Sequence, residues 1–269
     1  MMFQALQAKL LQHKYAINTS LLGDEQCLAW SNLGLWQAGD DYRHACQALA
    51  QHLANSIDLN SKDTLLDVAC GQGASLALWH HHYKIQRISA IELQQQHVEH
   101  LKQHAAFLNS IICDSFLNLN SKTFGEKFSA VLCIDAAYHV NLNSFLSAVR
   151  QVMQTQGRLA FHTLMLSDDF LNLNGWQQKK YAALLKAADV NVKDLMTQHH
   201  LERSIVQHGF KEILIEDLSE RVLLGFADYI RHANLALRGL DGFKIAMTAK
   251  LCHKLWQEGV VRYVAVAAF

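Results

Sequence analysis

The sequence predicts an α/β protein built on a largely parallel sheet with helices on both faces. Three observations predict it. Short apolar runs alternate with helix-length segments between residues 64 and 165. Those runs are nearly continuous in apolar residues, as strands covered on both faces must be. The chain also closes on a long apolar run over residues 260–269, VVRYVAVAAF, which has to be buried in the sheet.

Residues 1–60 precede the alternation. They read as helical, with apolar spacing over 5–11 and 42–53 and an aromatic stretch between, Trp30-Ser-Asn-Leu-Gly-Leu-Trp36. Residues 64–69 are the first strand; they end in Gly-Gln-Gly and lead into a helix reaching about residue 83. A second strand over 87–93 precedes a helix over 94–108. Residues 110–113 give a third strand and 128–135 a fourth, followed by a helix over about 142–153. Residues 157–165 give a fifth strand. Beyond 165 the alternation stops: 175–208 read as two helices, 210–217 as a sixth strand, 219–256 as helical again and 260–269 as the closing strand. With no proline in the chain, its turns fall to Gly, Asn, Asp and Ser.

Composition narrows the function classes. The 269 residues carry 24 basic and 24 acidic side chains, a formal net charge of zero. That balance offers no basic stripe for a phosphate backbone, so nucleic acid is a poor partner. Six scattered cysteines without a C-x-x-C pair suit a reducing compartment. No run of about 20 apolar residues and no signal-peptide core appears. The expectation is a cytoplasmic protein without membrane insertion.

The most informative local motif is Leu65-Leu-Asp-Val-Ala-Cys-Gly-Gln-Gly-Ala-Ser75, a buried strand running into a loop with Gly71, Gln72 and Gly73 and then a helix. Glycine admits positive φ and close approach of a ligand to the backbone. The helix start supplies free N–H groups at the carboxyl edge of the sheet, where open α/β folds bind ligands. Glu92 ends the second strand about 20 residues on, a position from which an acid binds ribose hydroxyls. Asp114 follows the third strand, in Cys113-Asp-Ser115, in reach of an adenine amino group.

These motifs resemble those of class I methyltransferases dependent on S-adenosylmethionine (SAM), over nearly the whole chain. Asp67-Val-Ala-Cys-Gly-Gln-Gly73 resembles the family's first motif, with Ala69 where Gly is frequent. Glu92 matches its ribose acid and Cys113-Asp-Ser115 its adenine-side motif. Ile134-Asp-Ala-Ala-Tyr-His139 falls at its fourth motif, and Gln156-Gly-Arg-Leu159 at the turn into its fifth strand. The third glycine of the dinucleotide pattern is replaced by Leu76, which argues against NAD. The resemblance implies a Rossmann-like seven-stranded sheet with the last strand antiparallel and inserted between the fifth and sixth. It implies SAM as cofactor, with S-adenosylhomocysteine (SAH) as product. The implied cofactor contacts are Trp36, Asp67, Ala69, Gly71, Gln72, Gly73, Glu92, Leu93, His97, Asp114, Ser115 and Asp135.

Within the family, Asn32-Leu-Gly-Leu-Trp36 and the 135–139 loop look like enzymes acting on sterols, quinones, tocopherols and macrolide sugars. The resemblance makes residues 1–60 a helical lid on a methyltransferase domain over 61–269, with helical cap insertions at about 166–200 and 219–256. His139 is the candidate base, because imidazole accepts a proton near neutral pH, and Tyr138 is its neighbour. The cap residues Trp176, Tyr181, Phe226 and Tyr229 are expected, with Tyr138 and His139, to wall an apolar substrate chamber. Asp135-Ala-Ala-Tyr138 lacks the Pro-Pro of amine and amide methyltransferases, which suits an oxygen, carbon or simple amine acceptor. The expected reaction is methylation of a small, largely apolar molecule at a hydroxyl oxygen. The histidine sets His80–His82 and His97, His100, His104 lack a carboxylate or thiol to complete a metal site, so no metal is expected.

Overall fold

The sheet is assembled around strands that are buried on both faces. β1 (Thr64–Val68) is buried at every position, β2 (Arg87–Glu92) at every position but its first, and β4 (Phe128–Cys133) at all but one. A computed structural model describes residues 18–269 of the chain; the helix expected over 5–11 lies outside the described residues. With β3 (Ser110–Cys113), β5 (Met153–Leu166), β7 (Ile213–Asp217) and β8 (Val261–Ala268), the strand order is β3-β2-β1-β4-β5-β8-β7. A two-residue strand, β6 (Met196–Thr197), adds to the carboxyl end of β5. β8 is antiparallel to both β5 and β7, so the apolar C-terminal run is an interior strand. Burial of both faces explains its Val/Ala composition.

The helices follow local signals. α1 (Tyr42–Asn55) starts at Asp41, whose side chain accepts from His44 N–H. α2 (Ala74–His81) begins directly after Gly73, and α3 (Gln95–His104) two residues after β2. α4 (Leu142–Arg150) is capped by Asn141. After β5 come α5 (Asp168–Leu171) and α6 (Gly175–Ala187), the latter closed by a reciprocal Asn174–Gln177 capping box. α7 (Gln198–Gln207) precedes β7. A π-helical turn (Glu220–Leu224) runs into α8 (Gly225–His232), and α9 (Gly239–Glu258) ends at Gly259, in the left-handed region at φ 64°.

Two apolar layers sandwich the sheet. One joins Leu49 and Leu53 of α1, Trp79 of α2 and Leu101 of α3 to strand residues such as Leu65, Ile88 and Tyr263. The other joins Phe145 and Leu146 of α4 and Leu201 and Ile205 of α7 to Leu66, Val131 and Phe161. α1 is thus a core helix with Ala45, Leu49 and Leu53 fully buried. Among the described residues before α1, the extended stretch 24–36 covers the carboxyl edge. No described helix is long and apolar enough to cross a membrane.

Candidate active site

Strand order turns around between β1 and β4, so the loops leaving their carboxyl ends diverge and open a crevice. Both strands end on a non-glycine residue held in the left-handed region: Ala69 at φ 59° after β1 and Asp135 at φ 54° after β4. Such a conformation costs on the order of 1–3 kcal/mol, and paired instances facing one crevice mark a functional site.

On the β1 side, Gly71 and Gly73 also have positive φ, 56° and 90°. A Cβ at either would force a neighbouring side chain to shift. A Cβ on Gly71 would lie 2.8 Å from Ser31 Oγ, and one on Gly73 would lie 2.3 Å from Leu101 Cδ2. Glu92 grips this loop: its carboxylate accepts from Gly71 N–H at 3.0 Å and Gln94 N–H at 2.8 Å. A carboxylate has about four acceptor positions, so two remain for hydroxyl donors. His97 Nδ1 lies 3.8 Å from Glu92, buried and without a hydrogen-bond partner. Asp67, below the loop, accepts from the Trp79 indole at 2.7 Å. Burial pushes its carboxyl up to about 6, partly offset by the Trp79 and Ser75 hydrogen bonds. Farther out, Asp114 is exposed and accepts from Ser115 N–H and the Asn118 amide, while Ser115 Oγ caps the turn at Leu117.

The stretch 24–36 closes over this loop. Buried Asp24 starts it, accepting from Gln26 N–H and from Trp30 N–H at 2.7 Å. Asn32 folds the next turn by accepting from Gly34 N–H, and Tyr42 of α1 donates to its carbonyl at 2.9 Å. A cavity of about 30 Å³ lies between the two, lined by Trp30, Ser31, Asn32, Asp67, Ala69 and Cys70 among others. The Trp36 indole donates to Leu33 O at 2.8 Å and stacks on Tyr229 at 4.5 Å between centroids, against Gly225. It lines a separate groove of about 680 Å³ with Gln37, Arg221 and Asp228. The Trp36 ring is thus held against α8.

On the β4 side, Asp135 collects three donors. Leu33 N–H reaches it at 2.8 Å, Tyr138 O–H at 2.6 Å and Tyr263 O–H at 3.0 Å. Burial raises its pKa, partly offset by these hydrogen bonds and by the nearby His139. Cys252 of α9 feels the same charge, and burial pushes its thiol up to about 12. His139 ends the 3-10 turn Ala137–His139, with Nδ1 at 3.1 Å from Asp189 O. A carbonyl only accepts, so Nδ1 carries the proton and Nε2 the basic lone pair.

Leu33 and Tyr263 were not singled out in the sequence. The Tyr263 signal was present: a tyrosine within a fully buried strand must direct its hydroxyl to a partner. Because β8 runs antiparallel, its first residues pair with the end of β5, with Tyr263 opposite Leu164. That pairing brings Tyr263 to the site. Leu33 acts through its backbone and leaves no compositional trace.

The cap residues divide. Phe226 is buried in the core beside α9, and Tyr229 donates to Leu22 O at 2.8 Å. Tyr181 packs on Phe170 and hydrogen-bonds Glu258, so it joins helices to one another. Trp176 is 73% exposed in the first turn of α6. His100 and His104 do have a thiol beside them, that of Cys27.

A family profile, mycolic acid cyclopropane synthetase, matches residues 27–206, which include the covering stretch, the glycine loop and the 135–139 turn. The chain belongs to this family. It is accordingly a SAM-dependent enzyme of the class I methyltransferase type. Erythromycin 3''-O-methyltransferase from Saccharopolyspora erythraea is 24% identical over 210 residues, covering 75% of this chain and 68% of that protein. Geranyl diphosphate C-methyltransferase from Streptomyces coelicolor A3(2), solved with SAH, superposes with a TM-score of 0.71 at 16% identity. That match covers 97% of this chain and 96% of the other. A cyclopropane synthase from Mycobacterium tuberculosis gives 0.73 at 15% identity, over 93% of each chain. These structures share the fold.

The described site fits the cofactor of the family. A Cβ at either loop glycine would displace a neighbouring side chain, Glu92 keeps acceptor positions, and the orphaned His97 nitrogen faces that carboxylate. The residues that would hold SAM are Gly71, Gln72, Gly73, Glu92, Leu93, His97 and Asp114 with Ser115 at the rim. The bound cofactor supplies an electrophilic methyl group. Everything else in the reaction falls to the chain: alignment, exclusion of water and removal of a proton.

Proposed function

We propose that this enzyme transfers the methyl group of SAM to a hydroxyl oxygen of a small, largely apolar acceptor. The observation that carries the reading is the turn after β4. It presents His139, in a tautomer set by the Asp189 carbonyl, beside the buried Asp135–Tyr138–Tyr263 cluster. A hydroxyl acceptor must lose a proton as the new bond forms, and an imidazole nitrogen can accept it. Asp135 already accepts from three donors, which gives it the task of positioning Tyr138 and the covering stretch, and proton removal falls to His139. Similarity to an O-methyltransferase that acts on erythromycin supports an oxygen acceptor of apolar character.

A second reading is methylation of carbon, favoured by the family profile and by the geranyl diphosphate C-methyltransferase neighbour. The two separate in one experiment. The protein is incubated with SAM carrying an isotopically labelled methyl group and a panel of hydroxylated apolar compounds: sterols, macrolides and quinols. The expected product is a methyl ether, and His139→Ala lowers its turnover about 10²–10⁴-fold with SAH affinity unchanged. Label found on carbon, or turnover retained in His139→Ala, overturns the oxygen reading.

A further inference from the structure

Cys27, His100 and His104 bring one ligand atom each within 4.8 Å of one another, outside the site described above. The two histidines are four residues apart on α3, so both project from one helical face, and their rings stack at 4.2 Å. The thiol comes from the covering stretch, 73 residues earlier; its Sγ lies 3.6 Å from His100 Nε2, which is also 2.7 Å from Cys27 O. His104 Nδ1 is 2.9 Å from His100 O and donates to it. That bond fixes the tautomer and leaves the lone pair on Nε2, as the outer-shell carbonyl does in histidine metal sites. One thiolate and two imidazoles are a borderline-soft set that suits Zn²⁺, with a fourth position for water.

We propose that these three residues form a zinc site that pins the covering stretch to α3. The ion takes the Cys27 sulfur as thiolate, whose proton passes to solvent; His100 gives up its bond to Cys27 O, Nε2 releasing its proton to solvent as Nδ1 takes one up, and binds through the Nε2 lone pair so exposed. Side-chain rotation brings the three atoms to zinc-ligand distances of about 2.0–2.3 Å. The consequence follows from position. Leu28, next to Cys27, and Leu101, next to His100, both border Gly73. A metal bond there fastens the cover at the edge of the cofactor loop, and bound zinc slows release of SAH. The metal site stands on its own geometry; the effect on release rests on the cofactor reading.

The test is a Co²⁺ titration of the full-length, metal-free protein, followed by absorption. Thiolate coordination gives a near-ultraviolet charge-transfer band that histidine clusters such as His80–His82 cannot produce. The band should saturate at one equivalent, vanish in Cys27→Ser, weaken at least tenfold in apparent affinity in His104→Gln, and persist in Cys113→Ser. A wild-type protein without the band, or a band retained in Cys27→Ser, overturns the site. SAH dissociation is then followed with Zn²⁺ and with a chelator. Several-fold slower release with Zn²⁺ in wild type but not in Cys27→Ser is expected; equal rates alongside an intact band overturn the pinning.

Discussion

One carboxylate at Asp135 answers donors from three distant parts of the chain: the Leu33 backbone, Tyr138 on the same turn, and Tyr263 on the closing strand. Buried acceptors of this kind lose about 1–3 kcal/mol when a partner is left unsatisfied. Asp135→Asn offers an amide N–H₂ toward at least one of those donors. It should therefore lower the unfolding free energy by about 2 kcal/mol and weaken SAH binding by loosening the cover, as read by denaturant melts and calorimetry. Tyr263→Phe removes one donor and should cost about 1 kcal/mol. An Asp135→Asn protein as stable as wild type contradicts the role given to this residue. His162, one strand away on β5, presents the opposite case. It is fully buried, neither ring nitrogen has a partner, and it lies 5.4 Å from the Tyr263 ring. Burial, with the neighbouring His52, depresses its pKa from 6.5 to about 3. The unfolded chain therefore takes the proton first. The neutral-histidine contribution is full above pH 6.5 and is lost as pH falls toward 3. His162→Phe should flatten stability against pH across that window while leaving the neutral-pH midpoint equal or higher. Parallel acid limbs in the two proteins refute this.

Between elements, α8 packs closely on the covering stretch. A Cβ on Gly225 would fall 2.5–2.6 Å from three atoms of Trp36, although Gly225 has ordinary helical φ and ψ. Alanine normally stabilises a helix relative to glycine by about 1 kcal/mol. At Gly225 the sign should reverse, with overpacking costing about 1–3 kcal/mol and separating Trp36 from Tyr229. Thermal melts and indole fluorescence read both effects; a stabilised Gly225→Ala protein contradicts the packing described. Trp36 is fixed on every side at this contact. Its backbone N–H is already bonded to Arg221 O at 3.0 Å, its ring N–H to Leu33 O, and its face to Tyr229.

Across the whole molecule, what the sequence revealed was what periodicity and local motif control. The alternation over 64–165 made the parallel half of the sheet legible. The apolar run over 260–269 placed the last strand inside it, and Gly71–Gly73 with Glu92 marked the cofactor edge. What stayed hidden depends on tertiary pairing. Asp135 was visible as a motif residue, but its partners Leu33 and Tyr263 lie 102 and 128 positions away. Cys27 meets His100 only because the covering stretch turns at Asp24. The exposure of Trp176 was equally hidden, because aromatic spacing in a helix does not say which face the sheet will claim. The 42–53 segment likewise gave a helix correctly, yet only the packed structure shows it beneath the core and not in a lid.

The account rests on a cofactor held by the glycine loop under the 24–36 stretch, and calorimetric titration with SAH tests that most directly. Wild type should bind one equivalent saturably. Gly71→Arg, whose side chain would enter the space between the loop and Ser31, should bind none while remaining folded. Equal binding by the two proteins, or none by folded wild type, would contradict the account.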